Sequence, residues 1–295
     1  TGTGNWTFAG GTLNANTGFT TSKTATLSSS ATIDVDTSET LTMAGIISGS
    51  NALVKSGAGD LSLTAANTYS GGTTVSAGKL IATTTSLQGD VANSGTVELN
   101  QSTNGTYAGA ISGTGAFIKA GTGEVTLSGS NTYTGGSTVS AGKLIGTTTS
   151  LQGAIASSGT IEFDQSTSGT YSGVLSGTGD AIKSGTGTVT FSGTNTYSGD
   201  TTLAAGTLSV GADSNLGAGD IIISGGTLAA TTGFSTAKAT SLTGSGSINV
   251  SPSQTLTMSG VMSGAGGFTK VGTGTLSLTG TNSYSGGTTV TTGKL

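Results

Sequence analysis

Internal repetition constrains the fold of this chain more than any other feature of its sequence. A stretch of 34 residues occurs four times, and successive copies begin 64, 64 and 87 residues apart. Each copy keeps a K-x-G-x-G segment, an N-x-Y segment and a closing G-x-L. Repeats of fixed period indicate supersecondary units stacked along one direction. The four modules are 47–80, 111–144, 175–208 and 262–295.

A longer period contains the modules. Residues 1–80 match residues 216–295, so the whole pattern begins again at residue 216. The chain is thus one super-repeat followed by the first part of the next. From this we predict one continuous solenoid over residues 1–295, and we expect it to be an excerpt of a longer array.

Within each module, polar and apolar residues alternate over four to six positions, as in Glu124–Leu127, and Gly-rich corners follow. This pattern predicts short, half-buried strands, because the side chains of a strand point alternately to its two faces. The predicted fold class is all-β, a parallel β-helix (β-solenoid) with about 20 residues per coil, so that three coils separate the first modules and four coils precede the last. The predicted inward positions are Leu61, Leu63, Val125, Leu127, Val189, Phe191, Leu276 and Leu278.

The composition excludes several functional classes. Only 7% of the residues are charged, all nine basic residues are Lys, and the formal net charge is −4. Nucleic-acid binding needs clustered basic side chains, which this chain lacks. It also has no His and no Cys, which removes the commonest catalytic bases, nucleophiles and zinc ligands. No apolar run is long enough for a membrane helix. We therefore predict a protein that is not an enzyme, with no catalytic residues, no cofactor and no metal site.

Two carboxylate pairs are the alternative to that prediction. Asp34 with Asp36, and Glu162 with Asp164, lie two residues apart in predicted strands, so the side chains of each pair face the same way. Such a pair suits general acid–base chemistry or a weak Ca²⁺ site. The competing interpretation, which we adopt, is that all four are solvent-exposed residues of amphipathic strands.

Three further motifs have structural interpretations. The K-x-G-x-G segments resemble phosphate loops but lack the following Lys-Ser/Thr and a helix. The Tyr residues occupy repeat-locked positions, which favours corner or packing roles. The threonine runs at 83–85 and 147–149 are too sparse for an ice-binding face, which needs a threonine row on every coil.

The stretch 112–144, SGTGAFIKAGTGEVTLSGSNTYTGGSTVSAGKL, resembles the autotransporter-associated β-strand repeat, and the other three modules resemble it as well. That family occurs in the passenger regions of bacterial autotransporters and in giant surface proteins. The resemblance implies a right-handed β-helix that is exported to the bacterial cell surface, with its outer-membrane anchor elsewhere in the parent chain.

Together, the sequence features favour a structural or adhesive segment of a secreted surface protein, acting as a rigid stalk or adhesin passenger. A self-associating extracellular filament, sheath or matrix protein is the second hypothesis, and a polysaccharide-active β-helix enzyme is a remote third. The expected partners are other copies of the chain or a host or abiotic surface, with no nucleic acid and no membrane span in this segment.

Overall fold

The computed structural model describes residues 4–295, which form two compact units. One unit contains the residues up to 144 together with 150–153, and the other contains 145–149 and 154–295. Each unit is a parallel β-solenoid, and every strand pairing described within either unit is parallel. The predicted fold class, an all-β solenoid with about 20 residues per coil, is confirmed.

The strands are short, mostly of three to five residues, and are numbered in chain order. Strands β1 to β12 are Trp6–Phe8, Thr12–Ala15, Phe19–Thr21, Ala25–Leu27, Ala31–Val35, Thr40–Met43, Ile47–Gly49, Leu53–Ser56, Asp60–Leu63, Thr68–Tyr69, Thr73–Val75 and Lys79–Ala82. Strands β13 to β25 are Val91–Asn93, Thr96–Asn100, Gly105–Tyr107, Ile111–Ser112, Ala116–Ala120, Glu124–Leu127, Ser137–Val139, Lys143–Gly146, Ile155–Ser157, Thr160–Asp164, Gly169–Tyr171, Leu175–Gly177 and Asp180–Ser184. Strands β26 to β38 are Thr188–Phe191, Thr201–Leu203, Thr207–Val210, Ile221–Ile223, Thr227–Ala230, Phe234–Thr236, Thr240–Leu242, Gly246–Val250, Thr255–Met258, Met262–Ser263, Phe268–Val271, Thr275–Leu278 and Thr288–Val290.

Each complete coil has three sides. In the first unit, β11 pairs with β8 and β12 pairs with β9, so the third strand after a given strand lies above it. The coils differ in length. The segment from Lys79 to its pairing partner Thr96 has fewer residues than the segment from Ala25 to its partner Ile47. The loop at 83–89 replaces a strand on one side of its coil. Among residues 4–295 the one helical segment is a 3₁₀ turn, Asp213–Asn215.

Glycine is required at the corners because coils approach closely there. Gly57 has a φ of +72°, and a Cβ at this position would lie 2.2 Å from the carbonyl oxygen of Val35 in the preceding coil. Both the backbone conformation and the available space therefore exclude a larger residue.

The core consists of the inward-facing apolar side chains of stacked strands. Seven of the eight predicted inward residues are buried, with at most 2% of each exposed. The prediction is wrong for Leu278, which is half-buried. Leu278 belongs to β37, the outermost strand of its three-stranded sheet, where the chain above it is paired only through an isolated bridge between Thr275 and Lys294.

The modules are not separated by whole numbers of coils, which corrects the prediction of three coils between the first modules and four before the last. In the first unit, three pairing steps lead from β9 through β12 and β14 to β17. Strand β17 is equivalent in sequence to β8 of the preceding module, whereas the equivalent of β9 is β18. In the second unit, four pairing steps lead from β26 through β28, β30 and β33 to β36, which is equivalent in sequence to β25 and not to β26. A whole number of coils is therefore one strand shorter than the distance in sequence between two modules of a unit. Equivalent surfaces of those two modules lie on adjacent sides of the solenoid.

Candidate functional site

The most regular polar feature of the modules is a buried lysine at the corner of each K-x-G-x-G segment. The side chain of Lys55 is fully buried, and its Nζ donates hydrogen bonds to the carbonyl oxygens of Ser56 at 2.6 Å, Gly57 at 2.8 Å and Ala77 at 3.3 Å. All three ammonium protons therefore have a backbone acceptor. The other modules repeat this arrangement, with Lys119, Lys183 and Lys270 each bound to three carbonyls.

These ammonium groups have carbonyl acceptors where a carboxylate would be the usual partner. Burial lowers the pKa of Lys55, while the charges of Asp34 and Asp60 oppose the shift. Burial also lowers the pKa of Lys119, Lys183 and Lys270. Because the lysine of the K-x-G-x-G segment itself occupies the corner, this geometry supports a structural clip between coils and leaves no cradle for phosphate.

The repeated asparagine links three successive coils. The Oδ1 of Asn67 accepts a hydrogen bond from the N–H of Ile47 at 2.8 Å, and its Nδ2 donates to the carbonyl of Ser86 at 2.8 Å. Asn131 makes the same two bonds with Ile111 and Ser150. The amide thus satisfies backbone groups where the ladder of strand hydrogen bonds is interrupted.

The repeated tyrosine is hydrogen-bonded through its hydroxyl in every module. The hydroxyl of Tyr69 lies 2.8 Å from Oγ1 of Thr73, and the ring is 1% exposed. Equivalent bonds join Tyr133 to Ser137, Tyr197 to Thr201 and Tyr284 to Thr288. Burial raises the pKa of Tyr69, Tyr133 and Tyr197 above its ordinary value. The structure therefore places these phenols in packing roles.

One carboxylate of each pair is less exposed than the sequence predicted. Asp36 and Asp164 are exposed, but Asp34 and Glu162 are half-buried. The expectation that all four are exposed is thus wrong for these two residues. Ser56 Oγ donates to Asp34 at 2.6 Å and Ser184 Oγ donates to Glu162 at 2.5 Å, so a serine from the next coil covers each carboxylate. Within residues 4–295 there is no group of three or more acidic, His or Cys side chains placed to hold a metal ion.

A column of stacked aspartates was not anticipated. The N–H of Asp200 donates to Oδ1 of Asp180 at 2.9 Å, the N–H of Asp220 donates to Oδ1 of Asp200 at 2.9 Å, and Ala239 caps Asp220 in the same way. The residue equivalent to Asp200 in the other modules is Gly72, Gly136 or Gly287. The even spacing of the three acids was the available signal, and it is informative only once the coil length is known.

Two surface grooves lie at Gly-Gly corners. One groove of about 470 Å³ is bordered by Gly266, Gly267, Phe268 and Gly287, and another of about 350 Å³ is bordered by Gly71, Gly72 and Asp90. Both are open and lined mostly by Gly, Ser, Thr and Ala, and among the described lining residues Asp90 alone is ionisable. Over residues 4–295 no helix has the length and apolar character needed to cross a membrane.

The modules resemble a known family of repeats. Four stretches match the family model of the passenger-associated transport repeat, at residues 53–82, 117–145, 182–210 and 268–295. Each stretch contains the buried lysine, the asparagine and the tyrosine described above. The resemblance to autotransporter passenger repeats is thereby confirmed.

One curated relative is the Adhesin BmaC autotransporter of Brucella suis biovar 1 (strain 1330). It is 39% identical over 82 residues, which is 28% of this chain. The match spans about 2% of the length of that adhesin. No solved structure matches this chain.

Proposed function

We propose that this chain, which carries four passenger-associated transport repeats, is a structural and adhesive segment of an exported bacterial surface protein. In this role it serves as a rigid support at the cell surface and makes adhesive contacts through its outward faces. Attachment to the outer membrane is supplied elsewhere in the parent chain.

One observation carries the proposal: three polar side chains that recur in every module, a lysine, an asparagine and a tyrosine, bond to groups of the fold itself. The ammonium of Lys55 is bound by backbone carbonyls, the amide of Asn67 joins three coils, and the hydroxyl of Tyr69 is paired. What repeats is therefore a scaffold. A solenoid of this kind acts through the long outward faces of its coils, which this chain fills mainly with Ser, Thr and small apolar residues.

The relative supports the same interpretation. The 82 matched residues belong to a protein named as an adhesin and an autotransporter, and we extend both properties to this chain as part of the proposal. A location outside the cell follows from that assignment.

Contact rather than catalysis is the proposed mode of action. The sequence has no imidazole and no thiol. One carboxylate of each pair, Asp34 or Glu162, is bonded to a serine hydroxyl of the next coil, which favours a role in the sheet surface.

Bead attachment tests the proposal. Beads coated with the purified 295-residue chain are scored for binding to epithelial cells, glass and polystyrene, beside beads coated with Leu127→Asp chain, whose buried charge disrupts the coil. We expect the native coat to attach and excess soluble native chain to compete. Equal attachment by both coats, or release of reducing sugar from a polysaccharide by the native chain, would overturn the proposal.

A further inference from the structure

One peptide bond of the first unit joins asparagine to glycine, the neighbour that hinders loss of the asparagine amide least. Asn104 is followed by Gly105, and this is the one Asn-Gly pair among the 295 residues. Gly105 begins β15, so Asn104 is the last residue of the corner that leads into this strand. The side chain of Asn104 is exposed. Water therefore has access to a thermolabile amide that no neighbouring Cβ shields.

The packing of the coils requires the glycine of this pair but not the asparagine. A Cβ at Gly105 would overlap Oγ1 of Thr84, which belongs to the loop at 83–89. The equivalent residue in the next spacer is also a glycine, Gly169, and a Cβ there would overlap a threonine hydroxyl in the same way. The residue before Gly169 is Ser168, however. Serine can thus stand where Asn104 stands, and the Asn-Gly pair is a property of this one corner.

Two hydrogen bonds hold the amide of Asn104 on the next coil. Its Oδ1 accepts the backbone N–H of Glu124 at 3.0 Å, and its Nδ2 donates to Oε2 of the same residue at 3.1 Å. Glu124 begins β18, the strand that pairs with β15. Because both polar atoms of the amide are bound to β18, its carbon cannot turn back towards the nitrogen of Gly105 until this corner opens.

We propose that Asn104 is a self-modification site, which converts to aspartate or isoaspartate when the corner opens and is protected by Glu124 while it is closed. The nitrogen of Gly105 attacks Cγ of Asn104. A bond between these two atoms forms, the bond from Cγ to Nδ2 breaks, and Nδ2 leaves as ammonia with the proton of the Gly105 nitrogen. Water then adds to either carbonyl carbon of the cyclic imide and opens the ring. Water is the co-reactant, and the step involves no change of oxidation state.

Conversion weakens the contact between the two coils. Aspartate has only acceptor oxygens when ionised, so the bond from Nδ2 to Glu124 is lost and two carboxylates face each other in its place. Isoaspartate also adds a methylene to the backbone at the entry to β15, which displaces this strand relative to β18. The modification thus records how often this corner has opened. This property goes beyond the proposed function and does not depend on adhesion.

Peptide mapping by mass spectrometry tests the site in the intact 295-residue chain, incubated at mildly alkaline pH. Conversion is measured as the replacement of an amide by an acid, and isoaspartate is counted by labelling with isoaspartyl methyltransferase. We expect conversion at Asn104 and none at Asn100, an exposed asparagine of the same corner that is followed by Gln101. Opening precedes attack, so the folded chain should convert at least about tenfold more slowly than the chain unfolded in urea.

Substitutions at Glu124 test the protection. Glu124→Ala removes the acceptor of Nδ2, and we expect Asn104 to convert about two- to tenfold faster than in the native chain. Lys143→Met is the matched control, because it removes the ion pair with Glu124 at 3.1 Å but keeps the acceptor, and it should leave the rate unchanged. Glu124→Gln retains an oxygen that accepts from Nδ2, so its rate should also stay close to the native rate. Urea unfolding confirms that each variant is folded.

Three outcomes would overturn the proposal: no conversion at Asn104 in the unfolded chain, equal rates in the folded and unfolded chains, or a native rate in Glu124→Ala. Asn104→Ser copies Ser168 of the next spacer and should remove the isoaspartate signal. A signal that persists in this variant would place the chemistry elsewhere and also sink the inference. Chains that convert as expected but fail to attach as a bead coat would refute the proposed function and leave this inference standing.

Discussion

The ammonium nitrogen of Lys55 lies 3.3 Å from the carbonyl oxygen of Ala77, which belongs to the next coil of the solenoid. Two further carbonyls, of Ser56 and Gly57, complete its shell. One side chain thus satisfies three backbone acceptors at a corner where no strand N–H is available. The repeat of this contact in four modules explains why the sequence keeps a charged residue inside a nearly charge-free core.

Replacing Lys55 with Met should therefore destabilise the chain. Methionine fills a similar volume but leaves three buried carbonyls without donors, and we expect a loss of about 2–3 kcal/mol in the free energy of unfolding. The matched control is Lys143→Met, which removes a partly exposed ion pair with Glu124 at 3.1 Å and should cost less than about 1 kcal/mol. Urea unfolding followed by circular dichroism measures both. Equal losses of unfolding free energy in the two variants would contradict a special role for Lys55 between the coils.

The buried tyrosines predict an alkaline limit to stability. Burial raises the pKa of Tyr133, so the folded chain keeps this phenol protonated above pH 10, where the unfolded chain releases the proton. The contribution of Tyr133 is thus complete below its unfolded pKa and is lost as the pH rises through its folded pKa. Lys55 and Lys119 have the opposite effect on the pH dependence of stability, because their pKa is lowered in the folded chain and stability therefore rises as the pH rises towards 10.5.

Tyr133→Phe separates the two effects. It removes the bond to Ser137 and should lower stability by about 1 kcal/mol at neutral pH. Above pH 10 the gap between native and variant chains should narrow, since phenylalanine has no proton to retain. Urea unfolding at a series of pH values is the measurement. A gap that is constant with pH would refute this assignment.

A buried hydroxyl offers a stabilising substitution. Thr240 Oγ1 is buried and has no hydrogen-bond partner, and the equivalent residue in the first super-repeat is Ala25. Thr240→Val keeps the shape and removes the unpaired group, so we expect stability to stay equal or rise by up to about 1 kcal/mol. Thr201→Val, which removes a hydroxyl bonded to Tyr197 at 2.5 Å, should lower it by about 1 kcal/mol. Thermal unfolding of the two variants compares them, and the reverse order of stability would be inconsistent with this structure.

The aspartate column makes a separate prediction. Asp200→Asn keeps an oxygen that accepts the N–H of Asp220 and removes one of three like charges, so its free energy of unfolding should change by less than about 0.5 kcal/mol. Asp200→Ala also removes the acceptor and should cost about 1 kcal/mol. Both are measured by urea unfolding at low and high salt, which screens the charge effect. A large loss in Asp200→Asn would show that the charge itself is needed.

The sequence predicted those properties that depend on local pattern. Alternating residues such as those in Glu124–Leu127 determine which side chains face inward, and the burial of Val125 and Leu127 agrees with that prediction. The repeats also indicated that Lys55, Asn67 and Tyr69 share one role in every module. Which groups they bond could not be predicted, because many of their partners belong to neighbouring coils and are distant in the sequence.

Properties that depend on coil length were harder to predict. A difference of one strand between the two modules of a unit turns the second module to the next side of that unit, and only the observed register, such as Lys79 opposite Thr96, reveals it. The stacking of Thr207 on Thr227 was not predicted for the same reason. Thr207 and Thr227 are not equivalent residues of the repeat, and they become neighbours only through stacking.

On the proposed function, attachment acts through the repeated outward faces of the coils and needs none of the four carboxylates. Converting Asp34, Asp36 and Asp164 to Asn and Glu162 to Gln tests it directly, since each amide retains an oxygen to accept the bonds of Ser56 and Ser184. The measurement is attachment of beads coated with the fourfold variant, alongside its thermal unfolding. We predict attachment and stability close to those of the native chain, because the amides at 34 and 162 keep the serine bonds and the exposed charges of Asp36 and Asp164 each contribute within about 0.5 kcal/mol. Loss of attachment in a variant that is still folded would contradict the account and assign function to the carboxylates.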